Sequence, residues 1–148
     1  MTALYVGLVI YVFVFPSICA YALVRGGASE RQVAIAYLVA AAVGMLASAF
    51  GGTHWRGPNW NVIIVDGAFF IALVVIARHS ERFWPLWAAA SQLAGLLAHI
   101  PVILNPGLPK TLYVSTQPFW AFPLLGSLLL GTLWFDRARR EQQQQQFG

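Results

Sequence analysis

Apolar residues run along this chain in five long stretches, over residues 3–24, 33–50, 60–77, 83–104 and 119–135, separated by short segments rich in charge, glycine and proline. A helix rises about 1.5 Å per residue, so about 20 predominantly apolar residues are needed to cross a hydrocarbon core about 30 Å thick. Each stretch meets or approaches that length. The pattern predicts an all-α, polytopic transmembrane bundle of five spans. The separators look like membrane-edge loops: 25–32 carries charge and glycine, 51–59 mixes Gly, His, Arg and Pro, and 78–82 is a tight charged turn. The longest connection, 105–118, holds prolines and a glycine that argue against a further helix there. Beyond Phe135 the chain turns polar, with three arginines and then glutamine at every position of 142–146. A transmembrane domain over 1–135 is therefore expected, followed by a disordered tail over 136–148 with at most a frayed helical extension.

Composition reinforces this picture. Hydrophobic residues make up 59% of the chain and charged residues 9%, whereas soluble domains carry roughly a quarter charged residues to hydrate their surface. The net charge of +4 does not point to nucleic acid, because the basic residues are scattered between apolar runs instead of forming a patch. Their placement works as a topology signal, since positively charged loops are retained in the cytoplasm. With five spans, Arg25, Arg31, Arg78, Arg82, Arg137, Arg139 and Arg140 share one side, and Arg56 and Lys110 the other. This predicts an outside N-terminus and a cytoplasmic C-terminus. Cys19 is the sole cysteine, so no intrachain disulfide is possible. The segment Ala20-Tyr21-Ala22 resembles a signal-peptidase site, but the preceding run lacks a basic start and is too long, so it reads as a retained span.

Helices in a bilayer associate where small residues let backbones approach. The second span carries Ala36, Ala40, Gly44 and Ser48 at four-residue intervals, and the fourth carries Ala90, Ala94 and Ala98 beside Ser91, Gly95 and His99. These two spans are expected to form the close-packed centre, with Phe69, Phe70, Leu128 and Leu129 at the periphery or facing lipid. Pro16 lies in the middle of the first span and predicts a kink; Pro85 falls in a first turn, where the missing N–H has no cost. Pro101 and Pro123 are expected near helix termini. All six tryptophans, Trp55, Trp60, Trp84, Trp87, Trp120 and Trp134, fall near predicted membrane edges and read as interfacial anchors.

Asp66 is the one acidic residue within the five predicted spans, and an ionisable group there is a functional candidate by default. Both it and His99 lie about one turn inside the same membrane surface. Gln92 precedes His99 by seven residues on nearly the same helical face. Asp66, His99 and Gln92 thus form a candidate polar intramembrane site, read either as an interhelical hydrogen bond or as a proton-handling or ligand-binding group. A second candidate is the outer loop with His54, Trp55, Arg56 and Trp60, suited to a lipid headgroup or a partner protein. A haem held by His54 and His99 is a weaker alternative. No nucleophile, metal cluster or phosphate loop is recognisable, so no catalytic residue, metal or cofactor is assigned.

The polar loop, Asp66 and the run Ser80-Glu81-Arg82-Phe83-Trp84-Pro85-Leu86-Trp87 resemble small bacterial multi-spanning inner-membrane proteins, mainly over residues 55–98. That resemblance implies a multi-pass inner-membrane location and no activity. The expectation from sequence is a non-enzymatic accessory or structural membrane protein, with the lipid bilayer, other membrane subunits or further copies of itself as partners. The alternative is a small transporter or sensor using the Asp66/His99 pair, and a membrane-embedded enzyme or haem protein comes third.

Overall fold

The computed structural model describes residues 2–50, 59–105 and 110–147. Among these the chain is helical and contains no strand, in the order α1 (Thr2–Arg25), α2 (Ala28–Phe50), α3 (Trp60–His79), α4 (Trp84–Leu97), α5 (Ile100–Leu104) and α6 (Lys110–Phe147). Four segments, in α2, in α3, across α4 and α5, and in α6, are long and apolar enough to cross a membrane; in α1 the stretch Ile10–Arg25 is apolar but shorter. Phe13, Met45, Ile64, Leu86 and Leu104 project from the helices exposed. An apolar coat of this kind is compatible with an integral membrane protein, because backbone groups are satisfied within each helix and lipid tails compete for the outward side chains.

The five long helices close a ring: α1 packs on α2, α2 on α3, α3 on α4, α4 on α6, and α6 back on α1. Side-chain pairs show the alternation of direction. Tyr11 of α1 meets Tyr37 of α2, Asp66 of α3 meets Gln92 of α4, and α4 meets α6 antiparallel, with Gly95 against Trp120 and Gly131 against Trp84. The ring is filled by a continuous core that includes Cys19, Ala22, Ala34, Leu73, Ala88, Leu124 and Leu128. An aromatic ladder crosses it: Phe122 lies edge-on to Tyr11, Tyr11 stacks on Phe15, Phe15 lies edge-on to Tyr37, and Tyr37 stacks on Phe69 at 5.1 Å between centroids.

This packing corrects the expected centre. α2 and α4 are not direct packing partners; α3 and α6 are the main neighbours of α4. In α4, Gly95 faces Trp120 of α6, and glycines elsewhere also admit large side chains. A Cβ at Gly131 would lie 2.7 Å from the Trp84 indole, and one at Gly27 would lie 2.9 Å from the Phe135 ring. Phe69 and Leu128, expected at the periphery, are core residues. Phe69, Leu73 and Ala77 recur at four-residue spacing, which places them on the inward face of α3 with Asp66 at its head.

The fourth apolar stretch is not one continuous helix. It breaks at Ala98 and His99, because the Pro101 ring clashes with the Leu97 carbonyl and supplies no N–H to it. Pro101 instead opens α5, where its missing donor has no cost. His99 bridges the break: its N–H donates to the Leu96 carbonyl, and its own carbonyl accepts from Val102 and Ile103. Pro16 sits inside α1 without ending it, and Ser17 Oγ donates to the Phe13 carbonyl one turn back.

α6 differs from expectation at both ends. It starts at Lys110, inside the connection read as non-helical, and carries Pro118 and Pro123 within it. It also continues through the glutamine run to Phe147, further than the frayed helical extension expected of the polar tail. Adding a turn to an existing helix avoids the nucleation cost, glutamine is a good helix former, and Arg140 Nη2 donates to Asp136 Oδ2 one turn earlier at 2.7 Å. At 38 residues α6 is about 57 Å long, nearly twice the hydrocarbon thickness.

Candidate functional site

α3 is capped by Asn59, whose side chain accepts from the Val62 N–H at 3.4 Å. Asp66 follows within two turns. The imidazole Nε2 of His99 stands 3.0 Å from Asp66 Oδ2, and Gln92 Nε2 donates to Asp66 Oδ1 at 3.3 Å and lies 3.4 Å from the Asp66 carbonyl. The structure thus brings together Asp66, His99 and Gln92. His99 is buried at 2% side-chain exposure, while 26% of the Asp66 side chain remains accessible. Two hydrogen-bonded residues orient the carboxylate, and its open face points somewhere specific.

That place is a cavity of about 280 Å³ at the Asp66 end of the ring. Each long helix contributes to its wall: Tyr11 from α1, Tyr37, Ala40, Ala41 and Gly44 from α2, Val62, Val65, Asp66 and Phe69 from α3, Gln92 and Gly95 from α4, and Trp120 and Ala121 from α6. Among these lining residues Asp66 is the one charged group. The Tyr11 and Tyr37 hydroxyls share a hydrogen bond at 3.2 Å. The glycines have distinct tasks. Gly95 lets Trp120 approach, since a Cβ there would sit 3.4 Å from the Trp120 Cβ; Gly44 preserves volume, since a Cβ there would meet no atom within 4 Å.

The opposite end of the ring holds a polar cluster that the sequence reading missed. Glu30 is 1% exposed. Its Oε1 accepts from Arg82 Nη1 and from Trp84 Nε1, both at 3.1 Å. The Arg82 guanidinium also lies 4.9 Å from the Phe135 ring centroid, and Ser29 Oγ donates to Ser80 Oγ. On α6, Asp136 pairs with Arg140 and lies 3.7 Å from Arg25. These contacts tie together α1, α2, the α3–α4 turn and α6. The apolar stretch of the second span begins only at Val33, whereas α2 starts at Ala28 and its first turn carries Glu30 into the packing. The available signal was the Gly26-Gly27 pair. A Cβ at Gly26 would collide with the Ala22 carbonyl and the Glu30 Cβ, so this turn is tight enough to press α2 onto its neighbours.

Other expectations divide. Trp84 is a buried packing residue and hydrogen-bond donor, not an interfacial anchor, and Trp120 lines the cavity; Trp60, Trp87 and Trp134 are exposed. Of the outer-loop candidates, His54, Trp55 and Arg56 lie outside the described residues, and so does one ligand of the haem alternative. Among the described residues no group of three or more His, Cys, Asp or Glu is placed to hold a metal ion. Compared with known proteins, the chain matches no family model, no curated protein and no solved structure.

Proposed function

We propose that this chain is a multi-pass protein of the bacterial inner membrane, with five spans, the N-terminus outside and the C-terminus cytoplasmic, that binds a small molecule in the cavity at Asp66 as a carrier or sensor. The observation that carries this reading is the partly accessible Asp66 carboxylate, held by Gln92 and His99 at the wall of a cavity to which all five long helices contribute. An interhelical hydrogen bond serving only as glue needs no adjoining cavity. Concave sites with mostly apolar walls and a few convergent polar groups are the usual form of small-ligand sites. The arginine distribution supports the orientation, because Arg25, Arg31, Arg78, Arg82, Arg137, Arg139 and Arg140 gather at the Glu30 end of the ring.

The accessory-subunit reading retains one supporting observation. A groove of about 450 Å³ between α4 and α6, bordered by Phe83, Trp87, Leu130 and Trp134, is open to the outside of the ring. A neighbouring transmembrane helix would fit such a groove.

Thermal-shift screening of the purified protein in detergent against a small-metabolite library separates the two. Compounds that raise the Tm of the wild type and fail to raise that of Gly44→Leu, whose side chain projects into the cavity, are expected. A library without such a compound, together with a stoichiometric co-purifying protein, would move the assignment to the accessory reading.

A further inference from the structure

We infer that the ligand of this cavity is a small organic cation, an alkylammonium or quaternary ammonium with an apolar body; this rests on the ligand-binding reading above and narrows it. The charge of the site comes first. Asp66 is the one charged residue among the described residues lining the cavity, and it is held by an amide and an imidazole, with no arginine or lysine among its side-chain partners there. Among the described side chains, every arginine lies at the opposite end of the bundle, where Glu30 and Asp136 already take Arg82, Arg25 and Arg140. An anionic group in a low-dielectric interior is costly without a counter-charge. A cationic ligand supplies it.

The walls then decide what kind of cation. Tyr11, Tyr37, Phe69 and Trp120 bring four aromatic rings to the same cavity. Aromatic faces attract cations through their quadrupole, most strongly when the cation is desolvated, and aromatic cages are a recurring way to hold ammonium groups. An inorganic cation is a poor fit, since calcium takes six to eight oxygen ligands and magnesium an octahedron of them. This wall offers mostly carbon, with the oxygens of Asp66, Gln92 and the two tyrosines. Those oxygens suit one ammonium group with hydrocarbon around it. The volume of about 280 Å³ sits at the lower edge of the range for small-molecule pockets, roughly 300–1,000 Å³, which favours a compact ligand.

The test is calorimetric titration of the full chain in lipid nanodiscs with matched pairs: choline against its uncharged isostere, in which carbon replaces the quaternary nitrogen, and phenethylamine against phenethyl alcohol. At least one cation is expected to bind tighter than its neutral partner by about tenfold or more, a difference that one partly desolvated cation–π contact supplies. Asp66→Asn should remove that preference while leaving the neutral partner's affinity unchanged, and Gly44→Leu should abolish binding of both. Should Asp66→Asn fail to fold, the charged-against-neutral comparison in wild type still decides. If the neutral partners bind as tightly as the cations, or if only other library compounds bind, the cation inference is overturned while the ligand-binding function stands. If no compound of any class binds, both fall.

Discussion

Two carboxylates in this protein are held by similar hydrogen bonds and lead to different expectations. Glu30 is buried and accepts from both Arg82 and Trp84, so Glu30→Ala leaves an indole N–H without its acceptor and a guanidinium without its partner. A loss of about 1–3 kcal/mol is expected, mainly from the buried indole N–H left without its acceptor, since Arg82 is half-exposed and can turn to solvent. Chemical denaturation in mixed micelles measures it, and a loss below about 1 kcal/mol would show that the cluster contributes little to folding. Asp66 faces a cavity, and its removal should cost less. For Asp66→Asn, His99→Gln and the double variant, non-additivity of about 0.5 kcal/mol or more is expected from two groups in direct contact. Additive effects would mean that the 3.0 Å pairing carries no coupling. The glycines diverge in the same way. Gly131→Leu must drive a side chain into the Trp84 indole and should lower stability by about 1–3 kcal/mol, whereas Gly44→Ala enters open space and should leave Tm nearly unchanged.

At the scale of elements, the fourth apolar stretch does two things. Its backbone stays in the α region through Ala98 and His99, so helical register sets Gln92 and His99 about 10 Å apart along one face, and their long side chains converge on Asp66, the imidazole at Oδ2 and the amide at Oδ1. At His99 the helix breaks. Pro101→Ala restores an N–H for the Leu97 carbonyl and removes the ring clash. Hydrogen exchange of the amides at 98–102 should then slow. Unchanged exchange would show that tertiary contacts, not the proline, hold the break open. The length of α6 has a related cause. Its polar end was legible as a composition change, yet helix persists there because the anchored span beneath it is already nucleated and Asp136 is clasped by Arg25 and Arg140.

For the whole molecule, the alternation of direction around the ring predicts that reporter fusions at Gly27, His79 and Gln144 read cytoplasmic and a fusion at Lys110 reads outside. A reporter at Gln144 on the outside would rule out the five-span topology. The chain by itself determined that the elements are helices, roughly where each apolar stretch lies, and that Asp66, His99 and Gln92 are the polar exceptions, because hydropathy and helical spacing are properties of neighbouring residues. Tertiary structure decided what faces what. That α2 and α4 are separated, that glycines receive Trp84, Phe135 and Trp120 instead of other small residues, and that Glu30 belongs to the interior all depend on the order in which helices close the ring. So does the cavity at Asp66. A cavity is the space left after residues distant in sequence have packed, and Gly44 marks it because, among the described residues, no side chain comes within 4 Å of where its Cβ would be.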